Sequence, residues 1–211
     1  MQQNTDHGGV PADGVRWAAW TPDQLRDRLG PVDVPWCVAA GWAIDLFVGR
    51  QTREHGDLEL AVPRSAWGEV RARLEGLSFQ VADDGLLWPL DQVHLDRSFQ
   101  TWGFDDQGIA RVDVFRERHD GPTWICRRDD RIRRPYSDVI ELSGTGIPYL
   151  APEIVLLFKA KHDRDKDRHD LRTALPGMDD ARRSWLRSAL ELVHPGHPWL
   201  SRLGPAGATD E

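Results

Sequence analysis

Ala40-Gly41-Trp42-Ala43-Ile44-Asp45-Leu46, followed by Gly49-Arg50-Gln51-Thr52-Arg53-Glu54-His55-Gly56-Asp57-Leu58-Glu59, is the stretch on which the fold turns. Residues 36–40 read as a short apolar strand that Gly41 breaks. Residues 43–48 read as a short helix with Gly49 at its C-cap. A strand running through glycine into a helix presents backbone N–H groups at a helix N-terminus, a setting that favours phosphate. It is also the pattern of an ordinary strand–helix turn. Beyond a polar loop, residues 57–62 alternate polar and apolar as a strand does, and period-two geometry puts Asp57 and Glu59 on one face, about 7 Å apart.

Two parallel carboxylates suit divalent ions of the Mg²⁺ class, which take oxygen ligands; a solvent-facing edge strand would look the same. A third acid, Asp113, sits inside the alternating run Arg111-Val112-Asp113-Val114-Phe115. If that strand neighbours the Asp57 strand, three carboxylates converge and repel unless cations neutralise them. Alone, Asp113 would read as an exposed strand residue paired with Arg111. Further along, Ile154, Leu157, Phe158 and Lys161 fall on one helical stripe after Pro152. A lysine on an apolar stripe is expensive unless its ammonium meets an anion, such as a triphosphate, or snorkels to water. Lys159, off the stripe, reads as solvated.

Around these motifs the sequence reads as an α+β chain. A helix begins at Thr21-Pro22. Strand candidates lie at 79–82 and 86–88, joined by an Asp83-Asp84-Gly85 turn, and at 92–95, 98–104, 109–115 and 123–127. Helices follow at 152–161, 165–175 and 179–192. The expected division is a flexible N-terminus over 1–13, a mixed α/β domain over 14–143, a helical C-terminal domain over 144–203 and a flexible tail over 204–211.

The 211 residues carry 27 basic and 34 acidic side chains, a net charge of -7. That balance argues against a sequence-independent grip on nucleic acid, which needs a basic face, and suits a cationic or metal-borne ligand. No apolar run approaches the ~20 residues of a membrane span, so no membrane partner is expected. No basic-then-apolar leader is visible. The only cysteines, Cys37 and Cys126, lack metal-site spacing. Both read as thiols of a reducing, cytoplasmic compartment. The run from Arg127 to Arg134 alternates charges and reads as a self-paired loop. The acids of the middle segment, Asp83 and Asp84 among them, read mostly as turn residues. They could also line a pocket for a polyamine-like ligand.

The quoted stretch resembles the start of the minimal nucleotidyltransferase fold, and more specifically the antibiotic adenylyltransferases of the aminoglycoside 2''- and lincosamide type. Gly146-Ile147-Pro148-Tyr149-Leu150-Ala151-Pro152-Glu153, Lys159-Ala160-Lys161, Lys166-Asp167 and Asp170-Leu171 fit the same pattern, so the likeness spans about residues 34–200. The resemblance implies a mixed β-sheet flanked by helices, then a small C-terminal helical bundle. It implies transfer of AMP from ATP to a hydroxyl of a small, cationic molecule. By that likeness Asp57 and Glu59 hold two Mg²⁺ ions. Asp113 completes the metal site and helps deprotonate the acceptor. Ala40, Gly41 and Trp42 give backbone contacts to phosphate, Lys161 approaches the phosphates, and Arg53 and His55 contact phosphate or position substrate. Two departures stand out: Ala40 where the family carries glycine, and Glu59 where aspartate is commoner. Two alternatives stay open: a transferase acting on tRNA or protein, in the manner of a toxin–antitoxin component, and a nucleotide-binding module without turnover.

Overall fold

The computed structural model describes residues 8–204. In chain order the elements are β1 (Val10–Pro11), α1 (Pro22–Leu29), β2 (Cys37–Val38), α2 (Ala40–Val48), β3 (Glu59–Pro63), α3 (Trp67–Arg73), β4 (Ser78–Asp83) and β5 (Leu86–Trp88). Next come α4 (Gln92–Arg97), β6 (Gln100–Phe104), β7 (Ala110–Glu117), β8 (His119–Asp120), β9 (Thr123–Ile125) and β10 (Arg133–Pro135). Last are β11 (Ile140–Leu142), β12 (Pro148–Leu150), α5 (Pro152–Ala160), α6 (Asp165–Ala174) and α7 (Asp180–Val193).

The contacts gather into two compact units, and the division differs from the expected border at 143/144. One unit combines the chain up to Pro35 with Gly56–Glu117; the other combines Trp36–His55 with the chain from Arg118 onward. The reason lies in β2 and α2. Val38 of β2 pairs in parallel with Tyr149 of β12, and α2 packs against α5 and α6. The glycine-bearing helix therefore belongs with the C-terminal helices.

In the first unit the strands run in the order β1-β5-β4-β6-β7-β3. Only β3 and β7 are parallel, with Glu59 opposite Asp113; the remaining neighbours are antiparallel. The core is built from Leu58, Leu60, Val62, Val81, Val112 and Val114, with Leu25 and Leu29 of α1 and Val70 of α3, all at most 1% exposed. Helix α1 starts as its sequence dictates: the Thr21 hydroxyl accepts from the Gln24 N–H and the Gln24 side chain accepts from the Thr21 N–H, with Pro22 in the first turn. The β4–β5 hairpin forms at the expected turn, with Asp84 and Gly85 both at positive φ, as a tight two-residue turn requires.

Two local expectations fail. Residues 92–95 form a helix, not a strand, because Asp91 caps the His94 N–H. Of the ends expected to be flexible, residues 1–7 and 205–211 lie outside the described residues, and Val10–Pro11 pairs with Leu86 and Leu87.

In the second unit β2, β12 and β11 form one mixed ribbon, and β8, β9 and β10 an antiparallel one. Its core joins Ile44 of α2, Ile154, Leu156 and Leu157 of α5, Leu171 of α6 and Leu186 and Leu190 of α7. Among the described residues no helix is long and apolar enough to cross a membrane, and Cys37 and Cys126 are buried without a disulfide.

Candidate active site

The acids of the first unit are ordered by strand period. Leu58 and Leu60 are fully buried, which turns Asp57 and Glu59 to the other, half-buried side. The Asp113 N–H donates to the Leu58 carbonyl at 2.9 Å, and Asp113 faces Glu59 in the parallel register. The expected adjacency of the two acid-bearing strands is therefore present. Asp113 is only 5% exposed, not an exposed residue paired with Arg111, whose guanidinium is taken by Asp105 and the Ala18 carbonyl. The Gln100 side-chain amide donates to Asp113 Oδ2 at 2.5 Å. Oδ1 is buried with no hydrogen-bond partner among the described residues. Burial above all, then the Glu59 charge, drives the Asp113 carboxyl well above the usual carboxylate range; the Gln100 bond opposes this, Asp57 adds to it, and the Trp102 indole, opposite Asp113 in the sheet, opposes it weakly.

One part of the expected site stands open. Among the described residues no group of three or more His, Cys, Asp or Glu side chains is arranged to hold a metal ion. The three carboxylates share neighbouring strands and feel one another, but they do not close into a cage. One Asp113 oxygen is turned to Gln100, and like charges repel. The donor set still suits a hard divalent cation. A buried carboxylate oxygen without a well-formed hydrogen bond among the described residues, beside two more carboxylates, is what such an ion would satisfy.

In the second unit Gly41 is the second residue of α2 rather than a linker before it. Ala39 caps the helix without a side-chain hydrogen bond, so the first-turn N–H groups receive no side-chain acceptor. Ala40 is held at φ 49°, a left-handed conformation that costs an alanine about 1–2 kcal/mol and that glycine adopts freely. A Cβ on Gly41 would overlap the Arg53 Nη2 and come within 2.6 Å of His55 Nδ1. Glycine is thus required by two side chains seated on the helix.

Both side chains are held by buried carboxylates. His55 Nε2 donates to Asp45 Oδ2 at 2.5 Å, and Trp42 stacks on the imidazole at 4.4 Å. Burial lowers the His55 pKa, the Asp45 bond raises it and the Arg53 charge lowers it; the net effect is downward. Asp45 also accepts from the Thr52 N–H and hydroxyl, which ties the loop after α2 to the helix. Arg53 makes a two-pronged contact with Asp170 of α6, Nε to Oδ1 at 2.9 Å and Nη2 to Oδ2 at 3.0 Å.

The lysine assignment is reversed. Helix α5 ends at Ala160, leaving Lys161 exposed. Lys159, read as solvated, is 8% exposed and pairs with Asp170 at 2.7 Å and Asp167 at 3.5 Å. Nearly every residue of α5 is buried, so no single stripe marks its inner face. The buried ammonium has its anions inside the protein, and the exposed Lys161 has no burial cost for a phosphate to offset.

Sequence reasoning missed Asp45, Gln100 and Asp170. Asp45 left a signal, since a carboxylate inside the apolar run from Ala43 to Val48 needs a partner. Gln100 left none. Of the mixed-charge run, Arg131 pairs with Asp129, and Arg134 with Glu153. Asp83 and Asp84 line a cavity of about 240 Å³ with Gln100, Trp102 and Ser98.

The family model for aminoglycoside-2''-adenylyltransferase matches residues 23–173. A 2''-aminoglycoside nucleotidyltransferase of Klebsiella pneumoniae is 33% identical over 83 residues, 38% of this chain and 47% of that protein; one of Escherichia coli matches to the same extent. The match thus spans about half the length of these curated relatives. Among solved structures, ANT(2'')-Ia in complex with adenylyl-2''-tobramycin superposes with a TM-score of 0.53 at 17% identity, over 81% of this chain and 93% of that one. The solution structure of ANT(2'')-Ia gives 0.50 at 17%, over 81% and 88%. At such identities these two speak for the fold.

Proposed function

The chain belongs to the aminoglycoside-2''-adenylyltransferase family, and from that premise we propose that it transfers AMP from ATP to a hydroxyl of a small cationic antibiotic, aminoglycoside- or lincosamide-like. The observation that carries the reading is Asp113: a buried carboxylate with one oxygen without a well-formed hydrogen bond among the described residues, beside Glu59 and Asp57.

In this reading Asp57, Glu59 and Asp113 hold two Mg²⁺ ions. When bound, such ions neutralise the phosphate oxygens, lower the pKa of the attacking hydroxyl and steady the pyrophosphate leaving group. Asp113 helps deprotonate the acceptor hydroxyl. The acceptor oxygen forms a bond to the α-phosphorus as the bond to pyrophosphate breaks, with no covalent enzyme intermediate. The first-turn backbone of α2 at Ala40, Gly41 and Trp42 contacts phosphate. Arg53 supplies a cation there, and His55, held by Asp45, shapes the same turn. The cavity lined by Asp83 and Asp84 suits an amine-bearing acceptor, since Gln100 both lines it and bonds to Asp113.

The test is pyrophosphate release with MgATP across a panel of aminoglycosides and lincosamides. One acceptor should stimulate release and Asp57→Asn should abolish it; undiminished turnover in that variant rejects the metal assignment. The left-handed Ala40 favours a second reading, a nucleotide-binding module without turnover. Calorimetric ATP binding with no release on any acceptor would select it.

A further inference from the structure

The Asp170 carboxylate is 1% exposed and faces one edge of the Arg53 guanidinium with both oxygens, at 2.9 and 3.0 Å. This fork-to-fork pairing fixes the plane of the guanidinium as well as its position, which a single contact would not do. The plane so fixed lies against Gly41, where Nη2 occupies the space a Cβ would need. On its far side Asp170 is anchored in turn. Oδ2 accepts from Lys159 at 2.7 Å, and Lys159 reaches Asp167, which Arg164 holds from its own helix start. Asp170 is thus a fixed point rather than a surface carboxylate that follows its partner.

The backbone around Arg53 is held by other means. Thr52 and His55, on either side, are both bound to Asp45, and the Gln51 amide donates to the Arg53 carbonyl at 2.9 Å. Asp170 therefore acts on the Arg53 side chain, whose remaining Nη1 donates to the Glu54 carbonyl at 3.0 Å, while Asp45 and Gln51 hold the loop.

We infer that Asp170 is a positioning residue for nucleotide binding: it sets the Arg53 guanidinium on the first turn of α2 so that Arg53 meets the phosphates of ATP. The inference rests on the nucleotidyl-transfer reading and adds to it a residue that touches neither nucleotide nor acceptor. An arginine without its fork partner has several rotamers to lose on binding, and a neutral carboxamide in place of the carboxylate cannot hold both of its nitrogens.

The experiment is a double-mutant cycle on the full chain, read by MgATP calorimetry and by melting temperature. Asp170→Asn should weaken MgATP roughly tenfold, the worth of about one charge-assisted hydrogen bond. In an Arg53→Met background the same change should cost nothing further in affinity. Asp170→Glu, which keeps the fork at a shifted distance, should recover part of the loss. Unchanged affinity in folded Asp170→Asn, whatever its melting temperature, would leave only a structural role and overturn the inference. So would losses that multiply across the cycle. If Asp170→Asn does not fold, Arg53→Lys decides: it keeps the charge without the fork and should bind as weakly as Arg53→Met, and wild-type affinity there overturns the inference. Failure of the unsubstituted protein to bind MgATP would overturn the nucleotide reading itself, and this inference with it.

Discussion

In the first unit Asp113, 5% exposed, keeps one oxygen without a hydrogen bond while Glu59 and Asp57 add like charge beside it. In the second, Asp170, 1% exposed, has both oxygens on Arg53 and one also on Lys159. Burial pushes both carboxyls up, but for Asp170 the Arg53 bonds and the Lys159 charge prevail and hold it below its ordinary value. The two sites teach different things. A charge that the protein neutralises itself is held in place from within. A charge left unanswered among like charges is a demand for something from outside.

Each arm of that contrast can be broken. The largest effect should come from Asp57→Asn, which removes a carboxylate beside Asp113: MgATP-dependent pyrophosphate release should fall below detection while the melting temperature barely moves. Next, Lys159→Met leaves Asp167 and Asp170 short of a buried cation and should destabilise by about 3 kcal/mol in urea titration, whereas Lys161→Met should stay within about 0.5 kcal/mol. Equal costs would erase the distinction between the two lysines.

The same pair of acids predicts an acid limb. Asp167 and Asp170 are held low in the fold, so their stabilisation is complete above the ordinary carboxylate range of about 4 and is lost as pH falls through their depressed values. Melting temperature should therefore fall below about pH 4, and less steeply in Asp170→Asn.

Mg²⁺ sharpens the other arm. At 100 times its dissociation constant it should stabilise the unsubstituted chain by about 2.7 kcal/mol and Asp113→Asn by much less; equal stabilisation would place the ion elsewhere. Smaller again, Gly41→Ala should cost about 1–2 kcal/mol, because its Cβ meets a stiff imidazole and a guanidinium locked to Asp170. Smallest, Ala40→Gly should stabilise by up to about 1 kcal/mol through relief of the left-handed alanine.

What could be read in advance follows the local period of the chain. Asp57 and Glu59 fall opposite Leu58 and Leu60 because strand side chains alternate. Thr21-Pro22 starts a helix because its hydroxyl and fixed φ suit a first turn, and Asp83-Asp84-Gly85 turns because Asp84 and Gly85 accept positive φ. Residues 92–95 are helical where a strand is expected because the Asp91 cap outweighs a strand-like pattern too short to decide. The lysines were exchanged because α5 is buried on almost every side.

The sequence by itself determined which residues share a strand face or a helix turn, since backbone geometry repeats every two or every 3.6 residues whatever surrounds it. Tertiary structure alone decided that β3 lies beside β7, that Asp170 reaches Arg53 across 117 positions of chain and that α2 packs with α5 and α6. Those pairings arise from burying apolar faces against one another, and a local pattern shows that a face is apolar without showing which other face will cover it.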